Sequence, residues 1–370
     1  SYGMKKFNES KRVLVTGGAG FIGGALVRRL LEFTECTLFI LDKLSYASDI
    51  EGIREILDDN KYNKRVFFFE KDLTNYEETK DAIQKCDPDF VFHLAAESHV
   101  DRSIDKPLDF IQNNIIGTYN LLETVRKHWF HLEKIRKDRF RFHHISTDEV
   151  FGSLDYKDKR FEEKTPYDPR SPYSATKASS DHLVRAWFHT YGLPIIITNC
   201  SNNFGPRQFP EKLIPLVIQK AINKQQIPIY GNGSNIRDWL YVEDHVDALL
   251  LAISNGKIGE TYCIGGFGEK SNLEVVNSIC DCIQNLRPLN DFLYRSLITL
   301  VDDRPGHDLR YAINSSKIIS ELGWSPKYSF QEALGITINW YISNPKWCKD
   351  ILENSGYLGD RLGIMKNTIS

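Results

Sequence analysis

The segment Ser146-Thr-Asp-Glu-Val150 ends an apolar, strand-like run by presenting a hydroxyl and two adjacent carboxylates, Thr147, Asp148 and Glu149. Downstream, Tyr173 and Lys177 stand four residues apart, a spacing that puts both on one helix face. A nearby ammonium favours phenolate over phenol and should lower the tyrosine pKa from about 10 toward neutrality. Such a tyrosine can take the proton of a substrate hydroxyl while hydride leaves the same carbon. Two further carboxylates suggest that water is eliminated as well. In isolation the same residues also suit a solvated turn or a helix cap.

Hydride transfer needs an acceptor, and the upstream sequence supplies a place for one. Arg12–Thr16 reads as a strand, Phe21–Phe33 as a helix, and between them Gly17, Gly20 and Gly23 form a glycine-rich turn. Small residues there let backbone N–H groups approach a pyrophosphate at the positive end of the helix. Asp42 closes the next strand about 20 residues beyond the last glycine, the separation expected of a ribose-binding carboxylate, which favours NAD over NADP. Lys43 beside it weakens that preference. Asp72 and Leu73 end another strand; they could line an adenine, or Asp72 could cap the helix that follows.

The elements that must position these groups alternate. Strands are expected at 38–41, Val66–Glu70, 90–94, 140–146 and 194–199, with helices at 77–85, 115–128 and 173–191. This predicts an α/β fold: a doubly wound parallel sheet, Rossmann-like, with a smaller, interleaved C-terminal substrate domain. The NAD-binding domain is expected to span 11–199, with returning segments near 236–262 and 312–342. The substrate domain takes 200–235, where a helix is expected at 215–223, and 263–311. Both stretches are loop-rich, as the substrate side of a cleft usually is.

The 370 residues are 41% hydrophobic and 26% charged with net charge −2, which gives no global field for nucleic acid or anionic membrane. No apolar run approaches the roughly 20 residues of a membrane span. The segment from Lys5 to Lys11 has no apolar signal core, and Ser1–Gly3 ahead of Met4 carry no function in this reading. Seven scattered cysteines without a Cys-x-x-Cys pair predict free thiols, no metal centre and a reducing, cytoplasmic setting.

Longer stretches carry a resemblance. Thr16-Gly-Gly-Ala-Gly-Phe-Ile-Gly23, Leu94-Ala-Ala-Glu-Ser-His-Val-Asp-Arg-Ser103, Ser146–Val150 and Tyr173–Lys177 resemble the extended short-chain dehydrogenase/reductases, and among them the dTDP-glucose 4,6-dehydratase family. Asn199-Cys-Ser-Asn-Asn203, Phe209–Pro215, Ile236–His245 and Asp303-Arg-Pro-Gly-His-Asp308 extend the resemblance over nearly the whole chain. It implies conversion of dTDP-glucose to its 4-keto-6-deoxy product with a bound NAD. Tyr173 would be the base at the C4 hydroxyl, Thr147 a hydrogen-bond partner of that oxygen, Glu149 the base at C5 and Asp148 the acid at the C6 hydroxyl.

The resemblance also assigns the cofactor to Gly17, Gly20, Phe21, Ile22, Gly23, Asp42, Lys43, Leu44, Ser45, Asp72, Leu73, Leu94, Ala95, Ala96, Ser98, Asn113, Asn203, Tyr173 and Lys177. A nucleotide sugar carries about two negative charges and needs local cations. Arg237 and Arg304 would meet the diphosphate with His307 nearby; Lys212, Leu213, Pro228, Ile229, Tyr230 and Asn272 would line the nucleoside pocket, and Ser98, Thr147 and Asn202 would touch substrate. Phe151, Arg207 and Asn113 depart from the usual Tyr, aromatic residue and Thr without removing a catalytic group. The helices at 115–128 and 173–191 resemble the family's dimer-forming pair, implying a homodimer. A 4-epimerase would need the Tyr/Lys pair and NAD but not Asp148 and Glu149; a UDP-sugar dehydratase would use the same groups on a uridine nucleotide; a non-catalytic dinucleotide-binding protein would need neither set.

Overall fold

The computed structural model describes residues 4–96, 104–266, 268–303, 308–354 and 368–369. Its first strand, β1 (Arg12–Thr16), is buried along almost its whole length, as a strand covered on both faces should be. β2 (Thr37–Asp42) and β3 (Val66–Glu70) follow on one side of it, then β4 (Phe90–His93), β5 (Arg141–Thr147) and β6 (Ile195–Cys200) on the other. With β10 (Thr261–Ile264) and the two-residue β13 (Thr368–Ile369), the order is β10-β6-β5-β4-β1-β2-β3-β13, parallel throughout. The chain reverses its winding between β1 and β4. Ligands of doubly wound sheets bind at such a switch point, outside the carboxyl ends of the strands.

The expected strands and helices are present, with ends moved by one or two residues. The helix expected at 115–128 becomes α-helical at Gly117–Phe130, after a wider π-helical stretch, Ile111–Ile116, that presents Asn113 and Asn114. The helix Ile50–Asp58 was not expected; Asp49 caps it by accepting from the Gly52 N–H at 2.9 Å.

Apolar clusters cover both faces of the sheet: Val13, Val15, Leu38 and Ile40 on one, Leu14, Phe39, Val91 and Phe142 on the other. Histidines also lie inside. His93 bridges the hydroxyls of Thr16 and Thr118 at 2.7 and 2.9 Å, and burial pushes its imidazole well below the ordinary value, so it is neutral.

The loop-rich stretches hold small sheets of their own. β7 (Asn202–Phe204) and β9 (Ile236–Tyr241) pair in parallel, β11 (Glu269–Ser271) joins β9 antiparallel, and β8 (Ile227–Tyr230) pairs with β12 (Ile298–Val301). No helix of the described residues is long and apolar enough to cross a membrane. The seven cysteines are free thiols.

Candidate active site

β5 ends at Thr147, and Asp148–Phe151 wind into a 3-10 turn. Thr147 caps that turn, its Oγ1 accepting from the Glu149 N–H at 3.1 Å. The tight turn sends the two acids into different surroundings: Asp148 is 1% exposed, whereas Glu149 is only partly buried. Burial pushes the Asp148 carboxyl well above the ordinary aspartate value, and Glu149 and Asp238 push the same way against Arg237. Its Oδ2 has no hydrogen-bond partner among the described residues. Burial also raises Glu149, but Lys212 and Arg237 pull it down while Asp308 opposes them. Both carboxyls are raised, Asp148 well above its ordinary value, while nearby cations partly offset the rise at Glu149.

Tyr173 and Lys177 lie on the helix Pro172–Tyr191, whose start is set by Pro172 in the first turn and by a Ser171/Ser174 capping box. Both side chains are buried, and Lys177 Nζ donates to the Ile145 carbonyl at 3.3 Å, tying the helix to β5. The phenol departs from expectation. Burial pushes it well above its ordinary value, with Glu149, Cys200, Asp181 and Asp148 adding to the rise. Desolvation and this ring of acidic groups outweigh one ammonium four residues away, and that ammonium is itself pushed down by burial.

Both sets of groups face a single cleft at the switch point. Its nucleotide side is lined by Gly17, Gly20, Phe21, Ile22, Gly23, Asp42, Lys43, Ser45, Asp72, Leu73, Leu94, Ala95, Ala96 and Asn113, and its far wall by Thr147, Asp148, Glu149, Tyr173, Lys177, Asn202, Asn203 and Lys212. The glycine turn is closely packed. Gly17 has φ +75°, and a Cβ there would lie 2.8 Å from the Ala95 nitrogen; a Cβ at Gly23 would lie 2.2 Å from the Gly17 carbonyl oxygen. Only glycine lets loop and strand end approach so closely with backbone bared to the cleft. Asp42 accepts from Ala19 N at 3.0 Å and Leu44 N at 2.8 Å, so it shapes the loop while reaching the cleft. Lys43 Nζ donates to Asn113 Oδ1 at 2.5 Å, bracing the opposite lip.

Asp72 accepts from the Thr74 N–H at 2.9 Å and lines the cleft, while the following helix, Tyr76–Cys86, is capped by Asn75. Leu44 is buried beneath the loop with φ +57° rather than lining the cleft. Leu213, Pro228, Ile229, Tyr230, Arg237 and Asn272 lie outside the cleft lining. Arg237 Nη1 donates to the Asp308 carbonyl at 3.2 Å and its guanidinium sits 4.7 Å from the Tyr311 ring centre. Ser98, Arg304 and His307 lie outside the described residues.

Sequence reasoning overlooked several neighbours. Asp238 accepts from the Gly266 and Gly268 N–H groups at 3.1 and 3.2 Å, and burial pushes its carboxyl up to about 6. Asp181 carried a visible signal, since it repeats the Tyr173–Lys177 spacing once more along the same helix. Phe151 fills a core, stacked 5.2 Å from Phe161 and edge-on to Tyr167, where a hydroxyl is not needed. Arg207, at φ +71°, lines the cleft and reaches Asp49 and Glu55, each at 3.5 Å.

A sequence profile described as GDP-mannose 4,6 dehydratase matches residues 14–337. A protein of Salmonella typhimurium named dTDP-glucose 4,6-dehydratase is 52% identical over 348 residues, covering 92% of this chain and 95% of its own. The crystal structure of a Bacillus anthracis dTDP-glucose 4,6-dehydratase in complex with NAD is 39% identical, covers 93% of this chain and 99% of its own, and superimposes with a TM-score of 0.80. A Streptomyces venezuelae dTDP-glucose 4,6-dehydratase, solved with NAD bound, is 37% identical over 92% of this chain and 99% of its own, with a TM-score of 0.82. Profile, relatives and fold agree over the same span as the cleft and its acids, and the chain belongs to the dTDP-glucose 4,6-dehydratase family.

Proposed function

We propose that this protein converts dTDP-glucose to dTDP-4-keto-6-deoxyglucose. The observation that carries the proposal is the neighbouring pair Asp148 and Glu149, facing one cleft with Tyr173. The glycine turn, Asp42 and the Leu94–Ala96 strand end would hold NAD, which accepts a hydride from the sugar and later returns it.

Tyr173 takes the C4 hydroxyl proton, and Thr147 holds that oxygen. The C4 ketone acidifies the neighbouring C5 hydrogen, which Glu149 removes. Asp148 gives its proton to the C6 hydroxyl, which leaves as water as the C5–C6 double bond forms. Hydride return to C6 and proton return to C5 complete a cycle with no net redox change. Lys177 helps hold the cofactor and the charge of Tyr173. Residues 11–199, with the segments near 236–262 and 312–342, form the cofactor domain; 200–235 and 263–311 receive the nucleotide, with Arg237 and Lys212 supplying charge for the diphosphate.

A homodimer is part of the proposal. Leu108, Ile111, Ile116 and Tyr119 are exposed beside the helix Gly117–Phe130, an apolar face suited to a second copy. The free thiols suit a reducing, cytoplasmic setting.

Incubation with dTDP-glucose or UDP-glucose and catalytic NAD, followed by mass spectrometry, tests the assignment. Loss of one water from the dTDP sugar without net NADH is expected. A faster reaction of the UDP sugar would reassign the nucleotide, and an isomer of unchanged mass would reassign the reaction to epimerisation.

A further inference from the structure

Tyr173, Lys177, Asp181 and Arg185 repeat at a spacing of four along the helix Pro172–Tyr191, a row of phenol, ammonium, carboxylate and guanidinium. Asp181 is fully buried. Its Oδ1 faces His144 Nε2 at 3.0 Å; its Oδ2 accepts from Ser146 Oγ at 2.9 Å, the Tyr167 hydroxyl at 2.7 Å and Asn199 Nδ2 at 3.3 Å. Arg185 Nη2 donates to the Tyr167 oxygen at 2.8 Å, which leaves the Tyr167 hydrogen for Asp181. Burial pushes the His144 imidazole down, so it is neutral and turns an N–H toward the carboxylate. Four donors converge on the carboxylate, three at Oδ2 and one at Oδ1, and an ionised carboxylate has no hydrogen to offer in return.

A buried anion must be compensated, and so must the buried Lys177 one turn away on the same helix face. The same carboxylate also fixes the strand end that carries Thr147. Ser146 precedes it on β5, and Asn199, which pairs with Ser146 from β6, donates to the Thr147 carbonyl at 2.9 Å.

We propose that Asp181 is a positioning residue for the oxidation step, its buried carboxylate keeping Lys177 charged and holding the Ser146–Thr147 strand end in register with Tyr173. The inference rests on the dehydratase reading above. Other groups that titrate or carry charge around it are His144 on β5, His93 on β4, Cys200 on β6, Tyr167 in the loop before the helix, Tyr173 and Arg185 on the helix itself, and Asp148 and Glu149 on the turn after β5.

The test is NAD+ affinity by fluorescence quenching across neutral to alkaline pH, alongside thermal unfolding, for the parent, Asp181→Asn, Asp181→Glu and Lys177→Met. The parent is expected to hold affinity until Lys177 loses its proton. Asp181→Asn, which keeps the shape and removes the charge, should bring that basic limb down by about one pH unit or more. Asp181→Glu should keep the limb in place, and Lys177→Met should abolish it. Parent and Asp181→Asn curves that superimpose after scaling would give Asp181 a purely structural role and overturn the proposal. A limb that survives in Lys177→Met would overturn it independently, even if the Asn variant did not fold. A parent that binds NAD+ but forms no 4-keto product would fail the dehydratase reading without altering the pH comparison.

Discussion

Asp148 and Glu149 share a peptide bond, and burial raises both, but neighbouring carboxylates add to the rise at Asp148 whereas Lys212 and Arg237 partly offset it at Glu149. A regular strand would also have turned them to opposite faces, but it would have left one of them in the sheet interior. The 3-10 turn capped by Thr147 keeps both on the cleft.

This asymmetry predicts separable defects. Glu149→Gln should still oxidise C4, so that NADH absorbance accumulates, while water loss falls by about 10²–10⁴-fold. Asp148→Asn should retain exchange of the C5 hydrogen with heavy water and lose dehydration. Stopped reactions read by absorbance and mass spectrometry check both. If the two variants fail at the same step, the division of roles is wrong.

The pH dependence follows with a definite sign. Glu149 works ionised and its pKa is raised by burial, so turnover should fall as pH drops through a value above the ordinary glutamate range of about 4.3. Asp148 works protonated and is raised further, so the acid remains available as pH climbs past the point where Glu149 has ionised. Lys212→Met removes a cation that lowers Glu149 and should move the acid limb of kcat upward. A limb that stays put or moves down would contradict the assignment.

Much of this site was legible in the sequence because it is local. The glycine turn, Asp42 and the Thr147–Glu149 strand end each declare themselves within a few residues, and alternation of strands and helices gives the parallel sheet. What escaped was set by tertiary neighbours. No spacing rule reveals that Asp238, some ninety residues away, adds to the rise of the Asp148 carboxyl. The surroundings of Tyr173 escaped as well, because helix spacing displays its ammonium partner and not the carboxylates and burial around it. The β7–β9–β11 and β8–β12 sheets were hidden by short strands among Asn, Pro and Gly.

The nucleotide side makes its own prediction. Gly17→Ala places a Cβ against the Ala95 backbone at a φ of +75°, and the left-handed backbone alone costs about 1–2 kcal/mol. The variant should melt lower and bind NAD more weakly, measured by thermal unfolding with and without NAD. Gly192, also at positive φ but with open space around its Cβ, is the control: its alanine variant should lose stability without losing NAD affinity.

The central claim is that oxidation at C4, elimination across C5–C6 and reduction at C6 occur on one molecule of sugar in one cleft. Substrate carrying deuterium at C4 tests it most directly. The account predicts a product lighter by one water that retains the label, now at C6, by mass spectrometry and NMR. Label lost to solvent or left at C4, or a product of unchanged mass, would contradict it.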